Sequence, residues 1–184
     1  VVGAYLEDSN QTTITNGTTS SSDNSATDSG AAYVYKRTSS TWAQEAYLKA
    51  SNTEANDQFG YSVSISGDTI VVGAHNEDSN QTTITNGTTS SSNNTGTDSS
   101  AAYVYKRTNS SWAQEAYLKA SNAGGTDRFG RATAISGDTI VVGAIGEDSN
   151  QTTITNGTTS SSDNSAANSG AAYVYKRSAP PLGS

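Results

Sequence analysis

The sequence predicts an all-β protein made of tandem four-stranded antiparallel sheets. Residues 59–74 contain two short apolar runs around a turn, and they recur with few changes 70 residues later at 129–144. Only eight positions differ between residues 1–50 and residues 71–120. A fixed period of this size indicates an array of equal supersecondary units. The apolar content of 32% is low, which suits thin strands that share their faces better than a helical globule.

The composition limits the kinds of partner and the cellular location that we expect. The net charge is −7, and the basic residues include scattered Lys-Arg pairs at 36–37, 106–107 and 176–177, so no nucleic-acid partner is expected. No apolar run approaches the roughly 18 residues of a membrane span. The chain lacks cysteine and is acidic and polar, which favours an extracellular or cell-surface location. It does not begin with Met, so we expect a processed product or a fragment, with any signal peptide lost upstream.

The repeated segment predicts a tight hairpin. The Gly-Asp pair at 67–68 has glycine first, as a type II′ turn requires, and this turn sets Ile65 opposite Ile70 and Val63 opposite Val72. That face of the hairpin is apolar. The reverse face carries small side chains that let another sheet approach closely, namely Ser62, Ser64, Val71 and Gly73.

A long polar loop connects the hairpin to the rest of each unit. It covers residues 5–30, 75–100 and 145–170 and is rich in Ser, Thr, Asn, Asp and Gly. Loops of this length inside compact arrays are uncommon and are usually functional or mobile. Because equivalent insertions of a repeat map to one face, we expect the three loops to share one side of the assembly.

The third predicted strand of the unit covers residues 31–37. Its aromatic and β-branched content is typical of strands. The alternation puts Tyr33 and Tyr35 on one face and Ala32 and Val34 on the other.

The fourth predicted strand covers residues 42–50, after a polar turn at 38–41. Its alternation puts Trp42, Ala46 and Leu48 on one face. Its Ala, Leu, Lys, Glu and Gln content would also suit a helix. The neighbouring strands alternate with a period of two, so we interpret the segment as a strand.

The strands also predict how the units assemble. Each unit has one bulky face and one small-residue face, neither of them properly polar, so both need covering, as in the radially stacked blades of a β-propeller. Residues 1–57 form a blade without its first strand, 58–127 a complete blade, and 128–177 a blade without its fourth strand, followed by a tail at 178–184. About two and a half blades do not close a ring, which typically needs four to eight. We therefore expect assembly with copies of the chain or with further blades of a longer chain.

These motifs resemble a known family. Phe-Gly before a strand, Ser-Gly-Asp-Thr-Ile-Val-Val-Gly-Ala, Glu-Asp-Ser-Asn, Ser-Gly-Ala-Ala-Tyr-Val-Tyr and a Trp-to-Leu-Lys-Ala-Ser strand are similar to the FG-GAP repeat. This repeat is the blade of the seven-bladed propeller in integrin alpha subunits and many bacterial surface proteins. The resemblance covers the chain up to residue 177 and implies an FG-GAP-like array of propeller blades.

The sequence departs from the family pattern at two places. The proline of the family name is replaced by Tyr5, His75 and Ile145. The Asp-rich calcium loop of the integrin type lies between the first two strands, where this chain has only the Gly-Asp turns at 67–68 and 137–138. A turn this short cannot surround an ion that needs six to eight oxygen ligands, so the family's calcium site is not transferred to it.

Acidic residues of the long loops are the remaining candidates for a metal site. Hard oxygen ligands close in sequence suit Ca²⁺, which would order the loop. A hydrated loop with Asx turns is the alternative, and we favour it because the acids are sparse and some copies have Asn instead. Apart from Ca²⁺, no cofactor is expected. The candidates are Glu7, Asp8, Asp23, Asp28, Glu77, Asp78, Asp98, Glu147, Asp148 and Asp163, with Asn24, Asn93, Asn94, Asn164 and Asn168 at related positions.

Asn-x-Ser/Thr triplets mark candidate glycosylation sites in a secretory host. Chance alone produces many such triplets in so polar a sequence. The Thr-rich part of each loop is either a carrier of O-linked sugars or simply hydrated. The candidate asparagines are Asn10, Asn16, Asn80, Asn86, Asn93, Asn109, Asn150 and Asn156.

The titratable residues argue against an enzyme. His75 is the sole histidine, and Tyr5 and Ile145 replace it in the sister units, so we expect a packing or solvent-facing residue. Without cysteine and with one unrepeated histidine, no Ser-His or Cys-His pair can be built in each unit. No Glu and Asp stand on facing rigid strands, as hydrolysis by a carboxylate pair requires.

Three interpretations of function remain at this point. The first is an extracellular structural or adhesive protein whose loops meet partners such as cell-surface proteins or glycans. The second is a carbohydrate-binding or calcium-dependent ligand-binding module, in which Tyr33, Tyr35 and Tyr47 stack on sugars, although such residues more often form the core between blades. The third, with the least support, is an accessory domain of a hydrolase.

Overall fold

A computed structural model describes residues 1–177 of the chain. Every regular element in this range is a strand, which confirms the all-β prediction. The predicted tail at 178–184 lies outside the described residues. The strands are β1 (Val2–Ala4), β2 (Thr15–Asn16), β3 (Ala31–Thr38), β4 (Thr41–Leu48), β5 (Phe59–Ser66), β6 (Thr69–Ala74), β7 (Thr85–Asn86), β8 (Ala101–Thr108), β9 (Ser111–Leu118), β10 (Phe129–Ser136), β11 (Thr139–Ala144) and β12 (Ala171–Lys176).

The strands form three antiparallel sheets, here named the first, second and third blades. Their strand orders are β1-β3-β4-β2, β5-β6-β8-β9-β7 and β10-β11-β12. No sheet closes on itself within residues 1–177, as predicted for blades that are not closed in one chain. The unit limits at 57/58 and 127/128 stay predictions, because the sheets define strands and not the ends of a unit.

The central hairpin has the predicted register. Ile65 pairs with Ile70, and Val63 pairs with Val72. Gly67 has a φ of 55°, whereas Asp68 is not among the residues with positive φ, and this combination is that of a type II′ turn. Alternation and turn chemistry therefore agree in fixing this part of each blade.

A β-bulge in the fourth strand overturns one predicted side-chain direction. The register of β3 with β4 shifts by one residue between Val34 and Tyr35, which leaves Glu45 as the extra residue. Beyond the bulge, Trp42 is in phase with Tyr35 and out of phase with Ala46. The prediction that the tryptophan shares a face with Ala46 and the following leucine is therefore wrong, and Trp42 belongs to the tyrosine face.

Each of the first two long loops adds a short strand that the sequence did not predict. Thr15 and Asn16 form β2, which pairs with Tyr47 and Ala46 on the outer side of β4. The strand β7 repeats this arrangement against β9. Two polar residues are too few to show an alternation. The predicted four-stranded unit is thus a five-stranded sheet in the second blade.

The blades stack with the bulky face of one against the small-residue face of the one before it. A buried cluster lies at each of the two interfaces, and burial of this apolar surface is the main stabilising contribution. Backbones approach closely there, because a Cβ on Gly73 would overlap the carbonyl oxygen of Gly130, and one on Gly3 would overlap that of Gly60. The first cluster includes Ala32, Val34, Ala46 and Leu48 of the first blade and Ile70, Val72, Tyr103, Tyr105 and Trp112 of the second. The second includes Val71, Ala102, Val104 and Leu118 of the second blade and Phe129, Ile140 and Val142 of the third, with Tyr173 and Tyr175 packed against it.

Candidate functional site

The interfaces between blades carry a repeated set of polar contacts. Arg107 of the second blade donates from Nη1 to the Glu45 carboxylate of the first at 3.0 and 3.2 Å, and from Nε to Asp68 at 2.7 Å. Trp112 donates from Nε1 to the same Glu45 at 3.1 Å. The guanidinium of Arg107 holds the pKa of Asp68 below its usual value. The bonds to Glu45 fix the orientation of one blade on the next, while Asp68, in the same blade as Arg107, holds the guanidinium in place.

The next interface repeats the arginine contact. Arg177 lies with its Nε 3.1 Å from a carboxylate oxygen of Glu115, the counterpart of Glu45. Its Nη1 also donates to the Thr69 hydroxyl at 2.8 Å. The same residue types thus join both pairs of blades.

A side-chain amide of the first long loop extends its contact into the second blade. Asn16 donates from Nδ2 to the backbone carbonyl of Trp112 at 3.2 Å, and its Oδ1 accepts from the Trp112 backbone N–H at 2.7 Å. This pair of bonds imitates the pairing of a neighbouring strand. The loop of one blade therefore caps the outer edge of β9 in the next.

The bulky face of the first blade is uncovered within the described part of the chain. Tyr35 is 43% exposed, whereas its counterpart Tyr105 is 0% exposed. Trp42 is 64% exposed, whereas Trp112 is 3% exposed. The sequences around these residues are nearly identical, so the difference comes from the neighbouring blade that covers the second pair. We call this surface the outer bulky face.

The small-residue face of the third blade is uncovered in the same way. Val174 is 69% exposed, against 2% for its counterpart Val104. A Cβ on Gly143 would have Ala132 Cβ at 3.6 Å as its nearest neighbour, while its counterpart Gly73 touches the backbone of the next blade. We call this surface, which contains Val141, Gly143 and Val174, the outer small face.

A buried lysine holds the base of the second long loop. Lys119 follows β9 and is 2% exposed. Its ammonium lies 3.2 Å from the Glu77 carboxylate and also donates to Ser79 O at 2.6 Å, Ser99 Oγ at 2.9 Å and Ser100 O at 2.5 Å. Burial lowers the pKa of Lys119, and the Glu77 carboxylate opposes this shift. The two ends of the loop are thereby tied to the end of the fourth strand. We call this arrangement of a buried lysine, a glutamate and the ends of the loop the lysine clamp.

The first loop has the same clamp. Lys49 contacts Glu7 Oε2 at 3.1 Å, Ser29 Oγ at 2.9 Å and Gly30 O at 2.6 Å. Burial again lowers the lysine pKa. Both lysines bind the glutamate, a serine hydroxyl and a backbone carbonyl at equivalent positions, so the clamp is a feature of the repeat.

The third loop has the acid of the clamp without the lysine. Glu147 is 3% exposed and accepts from Asn122 Nδ2 at 2.9 Å and from the Ser149 backbone N–H at 3.1 Å. Both donors are neutral. Within residues 1–177, no cationic side chain forms an ion pair with it, in contrast to Glu7 and Glu77.

The predicted calcium candidates all lie in or at the base of the loops, and most of their carboxylates accept hydrogen bonds from nearby protein groups. The glutamates Glu7, Glu77 and Glu147 stand at the three lysine-clamp positions. Carboxylates of Asp8, Asp78 and Asp148 accept backbone N–H groups from Asp28, Asp98 and Asn168 at 2.8, 2.8 and 2.6 Å. Those of Asp23 and Asp163 bind the backbone and hydroxyl groups of Ser25 and Ser165, which lowers both pKa values.

These contacts give the acids a role in closing the loops. Residues 1–177 contain no group of three or more His, Cys, Asp or Glu side chains placed to hold a metal ion. The turn at 67–68, where the integrin type has its calcium loop, engages Asp68 with Arg107 and does not fit a calcium site. Calcium at the predicted loop residues stays a prediction.

All eight candidate glycosylation asparagines are exposed at the surface. Asn16 differs from the others because its amide nitrogen donates to Trp112 across the interface. A glycan on Asn16 would remove a hydrogen of that amide and disturb the contact. Glycosylation of any of the eight stays a prediction.

His75 is a packing residue. It is 6% exposed and stacks on Tyr61, with ring centroids 3.8 Å apart and ring planes 22° apart. Burial lowers the pKa of His75 to about 4, helped by Arg131 and Arg128. It is therefore neutral at physiological pH.

The residues that make the main polar contacts within and between the blades were not predicted from the sequence. Lys49, Lys119, Glu45 and Arg107 were assigned no role, because charged residues are usually exposed. One signal was available: a lysine ends the apolar fourth strand in both copies, and Ala-Ser-Asn follows it each time. A charged residue that is the same in both copies and stands beside buried positions indicates a buried ion pair.

The family follows from a comparison of the sequence with family models. A model described as FG-GAP repeat matches residues 42–105 and again residues 112–175. The chain belongs to the FG-GAP repeat family. Each match begins at the tryptophan of one fourth strand and ends in the third strand of the next blade, so it spans one interface of this FG-GAP protein.

FG-GAP repeats are generally not enzymatic and typically occur in extracellular or surface proteins. A comparison with curated proteins finds no match to this FG-GAP chain. No helix long and apolar enough to cross a membrane is present in residues 1–177.

Proposed function

We propose that this FG-GAP protein is a non-enzymatic, extracellular structural or adhesive module whose outer faces bind further FG-GAP blades. Those blades come from copies of the chain or from a longer chain. The long loops then form the surface that meets other partners, such as cell-surface proteins or glycans.

The observation that carries this proposal is the contrast between equivalent residues. Tyr105 and Val104 are buried at blade interfaces, and their counterparts Tyr35 and Val174 are 43% and 69% exposed. The outer bulky face and the outer small face are therefore copies of the two halves of an interface that already exists twice within the chain. Contacts of this head-to-tail type join unlike surfaces and can continue into rings or filaments.

The loops support an adhesive role because they are ordered and exposed. In each copy a glutamine side chain forms hydrogen bonds within the loop. Gln151, for example, donates to Thr153 O and to the Thr155 hydroxyl, both at 2.6 Å. Ile154 in the third loop is 89% exposed. A surface held in shape before binding loses less entropy when a partner arrives.

The proposed absence of enzymatic activity is supported by the state of the one histidine. His75 is buried against Tyr61, which keeps a substrate away from its ring, and burial lowers its pKa to about 4, which makes it a weak base. The general behaviour of FG-GAP families agrees with this proposal.

Two charge substitutions test the assembly. Tyr35→Asp places a charge on the outer bulky face, and Val174→Asp places one on the outer small face. We expect the native protein to associate in sedimentation velocity experiments, each variant alone to remain monomeric, and a mixture of both variants to form dimers, because each keeps one intact face. Thr18→Asp, in an exposed loop, is the matched control and should associate like the native protein. If both face variants also associate like the native protein, the proposed faces are not the contact.

A further inference from the structure

We propose that Arg128 and Arg131 form a binding site for an oxoanion, such as the carboxylate or sulfate group of an acidic ligand. The two arginines stand at the start of β10, where the third blade meets the second, on the side of the long loops. Both blades belong to one chain, so the site needs no assembly. The inference goes beyond the proposed function, because it gives the loop side of this FG-GAP protein a ligand chemistry of its own.

A tight turn holds the two arginines close together. The backbone N–H of Arg131 donates to the Arg128 carbonyl at 3.2 Å, and Gly130 inside this turn has a φ of 85°. A hydrogen bond between the first and fourth residues of a turn keeps their Cα atoms within about 7 Å of one another. Both side chains therefore start from one short segment, from which two guanidinium groups can reach the same ligand.

The two guanidinium groups have no counter-charge close to them in the described part of the chain. The arginines at the interfaces between blades form ion pairs, whereas within residues 1–177 neither Arg128 nor Arg131 forms one. The adjacent acid, Asp127, is buried and accepts the backbone N–H of Gly124 at 2.7 Å. In a chain of net charge −7, two neighbouring arginines without a paired acid make a local positive site that attracts anions.

The arginines are particular to the third unit. Their counterparts in the second unit are Gln58 and Tyr61, in the segments Asp-Gln-Phe-Gly-Tyr and Asp-Arg-Phe-Gly-Arg. Gln58 has nearly the same backbone conformation as Arg128, with a φ of 55° against 57°. The turn therefore forms without arginine, and the two positive charges are not needed for the fold of the repeat.

The second blade holds Arg131 in position. The guanidinium carbon of Arg131 lies 4.9 Å from the centroid of the Tyr61 ring, which is a cation–π contact. Tyr61 is itself fixed by stacking on His75. A guanidinium that is positioned before binding loses less entropy when a ligand arrives. Its planar set of N–H donors fits two oxygens of a carboxylate or sulfate group.

His75 lies beside the site and senses its charge. It begins the second long loop, and near the other end of that loop Asp98 O accepts the backbone N–H of Arg128 at 3.4 Å. Burial lowers the pKa of His75 most, and Arg131 and Arg128 lower it further. Its Nδ1 has no hydrogen-bond partner within residues 1–177. An anion bound by the two arginines would oppose their effect and raise the pKa of His75.

A nuclear magnetic resonance titration tests the site, because the sole histidine gives one imidazole signal. Sodium sulfate or sodium acetate is added to the Tyr35→Asp chain, whose altered face is in the first blade, at constant pH and ionic strength, with sodium chloride as the reference salt. We expect a saturable shift of the His75 signal with at least one oxoanion, with a Kd of about 1 mM, and a higher pKa of His75 in that salt. A response to sulfate alone indicates sulfate or phosphate groups as ligands, and a response to acetate alone indicates carboxylates.

The second unit supplies the matched variants, Arg128→Gln and Arg131→Tyr, made in the same Tyr35→Asp chain. Each should weaken oxoanion binding at least about tenfold, because each removes charge-assisted hydrogen bonds. If one of them does not fold, the other decides alone. Lys106→Gln removes a positive charge at the end of β8 that is remote from the long loop, and it should bind like the parent. The site is overturned if neither sulfate nor acetate gives a saturable shift, if chloride gives the same shift, or if both arginine variants bind like the parent.

Discussion

Lys119 is the residue on which the attachment of a long loop depends most. Burying an ammonium group costs several kcal/mol unless other groups compensate. Here the Glu77 carboxylate, two backbone carbonyls and a hydroxyl surround it, so the cost is offset by charge-assisted bonds. The sequence shows this lysine at the end of a strand but not its burial, since burial depends on where residues 77–100 return to the sheet.

His75 makes the protein sensitive to acid. Its folded-state pKa of about 4 lies below the ordinary value of 6.5, so between these pH values the unfolded chain takes up a proton that the folded chain does not. Stability is therefore lost as the pH falls from about 6.5 to about 4. The stacking on Tyr61 and the two nearby arginines could not be inferred from sequence, because the sister units have Tyr5 and Ile145 at this position.

The substitution His75→Ile, which copies the residue of the third unit, should reduce this acid sensitivity. Between pH 7 and pH 4.5 the variant should lose about 1–3 kcal/mol less of its free energy of unfolding than the native protein. Urea unfolding at several pH values measures the difference. Ile145→His is the matched control, since this position is half exposed and a histidine there should not add the same loss. Superimposable pH profiles of native and His75→Ile proteins would contradict the assignment.

At the scale of the strands, the hairpins were predictable and the bulges were not. The hairpin at 59–74 combines alternation with a turn that only glycine-first pairs favour, so two independent signals agree. The bulge at Glu45 changes no residue type and leaves no mark in the alternation, and it moved Trp42 to the other face. The strands β2 and β7 are too short for a period to be seen. Such features are decided by tertiary pairing.

A pair of glycine variants tests how the strands of adjacent blades meet. Gly73→Ala should lower the free energy of unfolding by about 1–3 kcal/mol or more, because the new methyl group overlaps the Gly130 carbonyl and backbone must shift. Gly143→Ala, the same change at the equivalent position of the third blade, should alter it by less than about 0.5 kcal/mol when both glycine variants are made in the Tyr35→Asp chain, which keeps this face uncovered. Thermal or urea unfolding followed by circular dichroism gives both values. Equal effects at the two glycines would show that blades do not pack as described.

At the scale of the whole molecule, more of the architecture than of the candidate functional site could be predicted, because the units repeat. Near-identical units imply near-identical interfaces. The side chains of one hairpin and of one tyrosine-containing strand were therefore enough to predict that the faces of adjacent blades stack on one another. The lysine clamps could not be predicted, since they arise where a long loop returns to a sheet edge. The predicted glycosylation sites are exposed asparagines, whereas the predicted calcium ligands include the buried Glu77 and Glu147, and the fold alone does not determine the occupancy of either kind of site.

The mass of the native protein in solution tests the central claim most directly, because the outer bulky face and the outer small face should bind one another between molecules. Light scattering coupled to size-exclusion chromatography should give a mass that rises above the 18.9 kDa of one chain as the concentration increases. The Tyr35→Asp variant should stay at 18.9 kDa under the same conditions. A native mass of 18.9 kDa at every concentration would contradict the account.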